Sequence, residues 1–329
     1  MGTELTIANS IIQIIEDSRA SALRKVNEEL IRMYWLVGEY LSKESENASF
    51  GDAYMDAVSN EIRKAFPGIK GFSRRGLYRM KQFYETYNSN EFVSPLVTQI
   101  SWTNHLIIMS SCKSDEEREF YIKLSIRENY SKRELERQID SGYFERYMLA
   151  KEKILPEAIK GMKENPFLDS YVIEFLDLPQ GYKENDLRKA LIQNMKAFIL
   201  EVGKDFTFVG EEYKVQVGGE DYKIDLLFYH RGLRCLVAFE LKVGKFKPEY
   251  ISKMDFYLEA LDRQIKKDDE NPSAGLILCA SKDDEVVDYS MSRTMSPMMV
   301  AEYQLQLPNK DILQKKLQEL MDIPMIEEE

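Results

Sequence analysis

The spacing of apolar and polar positions divides the chain into a helical first half and a strand-rich second half. Ile7, Ile11, Ile14, Ile15, Ala22, Val26, Leu30, Tyr34 and Val37 recur at three- and four-residue steps with one longer gap. That period predicts a long amphipathic helix with room for one break. A second helix is expected from about Asp52 to Ala65, stopped by Pro67-Gly68. A third opens after Ser73, a natural N-cap, and two more are announced by the capping-box pairs Ser114 with Glu117 and Ser131 with Glu134. Between 151 and 182 the pattern loosens: Pro156, Gly161, Pro166, Pro179 and Gly181 interrupt it, and an inter-domain connection is expected there. A helix from about Glu184 to Val202 then leads into runs of period two: "FTFVG", "YKVQVGG", "YKIDLLFYH" and "CLVAFELKV". Gly218-Gly219 and Arg231-Gly232 lie between runs, where hairpin turns belong. The helix "KPEYISKMDFYLEALDRQI" and the apolar strand "GLILCA" follow. This order predicts an α/β (α+β) fold: a helical domain over 1–150, a linker over 151–182, and a mixed-sheet domain over 183–329.

Composition is that of a globular protein, with 44% hydrophobic and 31% charged residues over 329 positions. No run approaches the length of a membrane helix, and the start lacks the basic and small-residue features of a secretory signal. Cys112, Cys235 and Cys279 stand far apart among apolar neighbours, as reduced core residues of a cytoplasmic protein would. The formal net charge of -11 argues against a simple nucleic-acid coat. Residues 1–150, however, hold about 20 basic against about 22 acidic side chains, so the acidity lies mostly in the second half and a basic surface on the first remains open.

The chemistry-bearing stretch is "CLVAFELKVGKFKPEY". Strand alternation puts Ala238, Glu240 and Lys242 on one side and Phe239, Leu241 and Val243 on the other. An ion in an apolar strand needs a partner or a task, because removing it from water costs several kcal/mol. Asp225, in the preceding apolar strand, falls across the hairpin from this pair. Two carboxylates and one ammonium at one end of a sheet suit Mg²⁺, a hard ion that takes a few carboxylates and keeps part of its water shell. Lys242 would orient the attacking water and counter charge developing on a phosphate. The competing reading pairs Glu240 with Lys242 at a sheet edge and leaves Asp225 solvated near a turn.

At this point the chain resembles a known family. "YKIDLLFYHRGLRCLVAFELKVGKFKPEYISKMDFYLEALD", "GLILCASKDDEVVDYSM" and "AEYQLQLP" are similar to the nuclease domain of YhcG-like proteins of the PD-(D/E)XK superfamily. "VNEELIRMYWLVGEYL", "FPGIKGFSRRGLYRMKQFY", "ISWTNHL" and "EREFYIKLSIRENYSKRELERQI" resemble that family's helical N-terminal domain. The resemblance implies a winged-helix-like DNA-binding domain followed by a restriction-endonuclease-like domain. It also implies an endonuclease that hydrolyses phosphodiesters with Mg²⁺, or Mn²⁺ as its substitute. Asp225, Glu240 and the carbonyl of Leu241 would be ligands, and Lys242 catalytic. Tyr257 and Lys253 would support the site, and a homodimer or higher homo-oligomer would bring two sites to a duplex. The chain departs from the family at Leu187-Arg188, where a metal-binding Glu is usual. Glu184 or Glu201 would have to substitute. Glu212 and Lys253 stand where Gln is expected.

Arg74, Arg75, Arg79 and Lys81, crowded into the helix after Ser73, suit phosphate contact. Lys132, Arg133 and Arg137 form a second candidate patch, and Lys245 and Lys247 are placed to steer a phosphate. His105 and His230 read as structural, the second as turn chemistry. Two alternatives stay open: a non-catalytic DNA-binding or assembly subunit that keeps the nuclease fold, which Arg188 favours, and an RNA-directed nuclease.

Overall fold

The computed structural model describes residues 2–45, 51–89, 96–151 and 167–321. They form two compact units, Met1–Glu136 and Arg137–Glu329. In the first, α1 (Gly2–Glu44) runs without the break its long apolar gap allowed. α2 (Asp52–Ala65), α3 (Arg74–Tyr87), a short 3-10 turn (Val97–Gln99), α4 (Trp102–Ser111) and α5 (Asp115–Glu128) follow, and α6 (Lys132–Asp140) begins in this unit and ends in the second, to which Arg137 belongs. Ser73 caps α3 by accepting from the Gly76 N–H, and Ser131 and Glu134 complete their reciprocal box on α6. Gly38 lets α1 lie against α3: a Cβ there would come 2.1 Å from the Met80 carbonyl oxygen. Phe83, Tyr87 and Trp102 fill the interior around His105. His105 is fully buried and bonds Val97 O at 2.6 Å through Nε2, the structural role expected of it. The described residues of this unit hold helices only, so the wing of a winged helix has no counterpart among them.

After the end of α6, the second unit holds α7 (Tyr143–Lys151) and β1 (Ser170–Val172). It continues through α8 (Glu184–Gln193), α9 (Met195–Val202), β2 (Phe206–Val217), β3 (Glu220–His230), β4 (Cys235–Lys245), α10 (Glu249–Gln264), β5 (Ala274–Ser281), α11 (Asp284–Met291), β6 (Met298–Gln304) and α12 (Lys310–Met321). The strands make one mixed sheet in the order β1-β6-β5-β4-β3-β2. β1, β6, β5 and β4 run parallel, while β2, β3 and β4 form antiparallel hairpins. The β2–β3 turn is Gly218-Gly219, at φ 64 and 86, the left-handed pair a two-residue hairpin turn requires. Helix α10 buries Ile251, Met254, Leu258 and Leu261 on one sheet face against Ala238, Ile277 and Val300. On α9, Phe198 packs against Phe228 and Phe239. Every described residue of the "CLVAFELK" run is buried because β4 is a central strand with helices to pack on.

Three boundaries differ from expectation. The stretch expected as linker contributes β1, whose three residues pair with Glu302, Tyr303 and Gln304 of β6; residues 152–166 lie outside the described residues. The helix expected over 184–202 is two helices that break at Asn194, whose side chain bonds the Ala190 carbonyl. "FTFVG" and "YKVQVGG" are one strand, with a register shift between Phe208 and Gly210. No helix among the described residues is long and apolar enough to cross a membrane.

Candidate active site

The β3–β4 ladder runs from the His230–Cys235 pair to Leu226–Phe239 and stops. One residue beyond the last pair stand Asp225 and Glu240. There the Asp225 carboxylate takes over a backbone role, with Oδ2 accepting the Leu241 N–H at 2.8 Å. On its other edge β4 stays paired to β5 through Glu240, Leu241 and Lys242, which fixes those residues. Leu227 and Ala238 lie in the apolar cluster under α10. Alternation therefore brings Asp225, Glu240 and Lys242 to the margin of that same face.

Glu240 is 1% exposed. Its Oε1 receives two ammonium groups, Lys242 at 2.8 Å and Lys253 at 2.5 Å. Its Oε2 is buried and has no hydrogen-bond partner among the described residues. Lys242 Nζ also donates to both oxygens of Glu184 at 3.1 Å and lies 5.3 Å above the Tyr250 ring. Lys253 lies 5.3 Å above Tyr257, whose hydroxyl donates to the Lys223 carbonyl at 2.6 Å. Tyr250, Lys253 and Tyr257 follow one another at three and four residues, so a single stripe of α10 overlooks the charges. Sequence reasoning did not single out Tyr250, although this spacing was its signal.

The electrostatics separate the carboxylates from the amines. Burial first, and then the negative charge of Glu240, push the Asp225 carboxyl up to about 6. Burial pulls the Lys242 ammonium down, but its hydrogen bond and charge contact with Glu240, and then Glu184, hold it above its ordinary value. Lys253 is raised in the same way through Glu240. Burial raises Tyr257.

Asp225, Glu240, Lys242, Lys253, Tyr257 and Glu184 are thus brought together, with Glu184 facing the ammonium of Lys242. Glu201 is not with them. It is fully buried elsewhere, with Oε1 bonded to Arg146 at 2.6 Å and to the Val172 N–H, and Oε2 bonded to Arg137. With both oxygens held by guanidinium groups, it cannot replace a helix ligand. Arg188 turns to β2, within 3.6 Å of Glu211 and 3.4 Å of Glu212. Glu212 also receives Lys223 at 3.1 Å.

Among the candidate phosphate-binding residues, Arg74 pairs with Asp56, Lys81 with Glu85, Lys132 with Glu136, Lys245 with Asp283 and Lys247 with Glu249. Arg137 is not available to a phosphate, because its guanidinium is held by Glu174 and Glu201; Arg75, Arg79 and Arg133 have no ion pair among the described residues. His230 accepts the Leu233 N–H in the β3–β4 turn. All three cysteines are buried thiols outside any disulfide.

No group of three His, Cys, Asp or Glu side chains placed to hold a metal ion occurs among the described residues. The donor set is a pair of carboxylates. It nevertheless fits a hydrated Mg²⁺: its oxygens are hard, one buried oxygen of Glu240 is unpartnered, and the like-charge strain on Asp225 is what a cation relieves.

Residues 10–146 match the model of the DUF1016 N-terminal domain, and residues 164–319 that of the YhcG PDDEXK nuclease domain. The Escherichia coli (strain K12) protein named "Putative nuclease YhcG" is 29% identical over 349 aligned residues, covering 94% of this chain and 92% of that one. Among solved structures, a repair endonuclease from Pyrococcus abyssi aligns over 40% of this chain and 50% of its own, at 15% identity and a TM-score of 0.26. A complex of EndoMS with double-stranded DNA aligns over 39% and 46%, at 14% identity and the same TM-score of 0.26. Each of these two alignments spans about half of the solved chain or less. The two family models follow one another along the sequence as the helical unit and the sheet unit do, and the chain belongs to the YhcG-like PD-(D/E)XK nucleases, a DUF1016 N-terminal domain followed by a YhcG nuclease domain.

Proposed function

We propose that this chain is a Mg²⁺-dependent DNA endonuclease whose phosphodiester hydrolysis is carried by Asp225, Glu240 and Lys242. One observation supports this most directly. Lys242, Lys253 and one oxygen of Glu240 are all paired, yet the other, buried oxygen of Glu240 has no hydrogen-bond partner among the described residues, beside a carboxyl pushed up by burial and then by the Glu240 charge. Asp225, Glu240 and the Leu241 carbonyl would hold the ion, and Mn²⁺ would substitute. When bound, the ion supplies Lewis-acid polarisation of the scissile phosphate and lowers the pKa of a coordinated water.

The protein's own groups do the rest. Lys242 stays protonated because Glu240 and Glu184 hold its ammonium above its ordinary value. It therefore acts as a cation and hydrogen-bond donor, not as a base: it orients the water and offsets charge on the phosphate as the bond to the leaving sugar oxygen breaks. Glu184 positions Lys242 through its two 3.1 Å contacts. Lys253 orients Glu240 by donating to its Oε1, and Tyr257 anchors α10 to β3.

The test is cleavage of supercoiled plasmid and branched DNA with Mg²⁺, comparing wild type with Lys242→Ala. Loss of a preorganised charge at the reacting phosphate is expected to cost about 10²-fold or more. Nicking at the wild-type rate by the variant overturns the assignment. The second reading, a non-catalytic DNA-binding subunit, is favoured by the two ammonium groups already seated on one oxygen of Glu240. It predicts no Mn²⁺ between Asp225 and Glu240 in soaked crystals. Matched DNA and RNA substrates in competition separate a DNA-directed from an RNA-directed nuclease.

A further inference from the structure

Helix α1 is 43 residues long, yet among its described residues the buried ones all lie in its C-terminal part. There Ile31, Tyr34 and Leu41 are buried, on the side where Gly38 meets Met80. Met33 lies two residues from Ile31, about 200° around the helix, so a second stripe faces away from the unit. That stripe is Ile12, Ile15, Arg19, Ala22, Val26, Glu29, Met33, Leu36 and Tyr40, all exposed and spaced three and four residues alternately without a slip. Ile12 is 51% exposed, Val26 67% and Leu36 57%. Monomers rarely leave so long an apolar seam in water, and a 3-4 repeat sustained over about four heptads is the seam of a coiled coil.

The two charged positions name the occupant. If a second α1 runs antiparallel, with the two-fold axis at Arg24, Ile12 meets Leu36, Ile15 meets Met33, and Ala22 meets Val26. Arg19, the one cation of the seam, then meets Glu29, its one anion. Leu23, 71% exposed, packs beside its own mate at the axis. A parallel pair would instead bury Arg19 against Arg19 and Glu29 against Glu29, which like-charge repulsion disfavours. The overlap is about 50 Å of helix.

We propose that two copies of this chain associate through α1 as an antiparallel coiled coil centred on Arg24. The proposal stands whether or not the sheet unit is a nuclease. If it is, the association joins two such units in one molecule. The test uses the full-length protein at micromolar concentration. Sedimentation is expected to give twice the 38.5 kDa chain mass. Arg19→Glu and Glu29→Arg should each halve that mass, and the Arg19→Glu/Glu29→Arg pair in one chain should restore it. All seam positions are exposed, so circular dichroism should be unchanged in each variant. A mixture of Ile15→Cys and Met33→Cys chains should form the mixed disulfide on oxidation, while neither variant alone links to itself; the three native cysteines are buried. A monomeric wild type overturns the proposal, as does a mass indifferent to the charge changes or self-linking of Ile15→Cys.

Discussion

At the scale of single residues, the site holds its charges at a cost to the fold, and Asp225 bears most of it. Its carboxyl rises from 3.8 to about 6 in the folded chain, equivalent to about 3 kcal/mol at neutral pH. A carboxyl with a raised folded pKa destabilises while ionised. The penalty is therefore full above about pH 6 and fades as the pH falls towards 3.8. Asp225→Asn keeps an oxygen for the Leu241 N–H and removes the charge. We expect the metal-free variant to melt several degrees above wild type at neutral pH, with the gap closing as the pH drops through 6, and to have lost cleavage. An unchanged or lowered melting temperature at neutral pH would show that Asp225 is not strained by its surroundings.

At the scale of elements, the structure assigns Glu201 a task that its sequence position concealed. Arg137 of α6 and Arg146 of α7 converge on its carboxylate from α9, and its Oε1 also accepts the Val172 N–H of β1. Four elements are clasped by one buried side chain. Removing one partner of such a cluster leaves guanidinium charge buried and uncompensated, at a cost of about 3–5 kcal/mol. Glu201→Ala should therefore lower stability in a denaturant titration by that order while leaving Mn²⁺ affinity and cleavage per folded molecule unchanged. A selective loss of metal binding would return it to the site. The same comparison shows what local sequence carries. The hairpins were legible because Gly-Gly and Arg-Gly sit between period-two runs, and Asp225, Glu240 and Lys242 because charges inside apolar strands stand out. β1 was hidden: three residues carry no period, and its pairing with β6 spans more than a hundred residues of chain. Tertiary partners also decided that Glu201 meets arginines and that Glu184 meets Lys242, and nothing in "MKAFILEV" or "KENDLRKALIQ" encodes the respective choice.

At the scale of the whole molecule, the distribution of charge divides the labour between the units. With a net charge of -11 overall and near balance in residues 1–150, the sheet unit repels a polyanion until a divalent ion offsets its carboxylates. If the substrate is DNA, as proposed, phosphate contact would fall to those cations of the helical unit that have no ion pair among the described residues. Arg74 and Lys81 are paired with carboxylates, whereas Arg75 is exposed and neither it nor Arg79 has an ion pair among the described residues. If α3 grips the DNA backbone, Arg75→Ala/Arg79→Ala should weaken DNA binding and flatten the dependence of log K on log salt by about 0.9 for each phosphate that the variant leaves unneutralised. The rate at saturating DNA should hold. Lys242→Ala should do the reverse, retaining affinity and salt slope while the chemical step fails. Titrations of a labelled duplex at several salt concentrations, read beside single-turnover cleavage, separate the two effects. If Arg75→Ala/Arg79→Ala leaves the salt slope unchanged, α3 does not contact the backbone, and Arg133 becomes the next cation to test in the same assay.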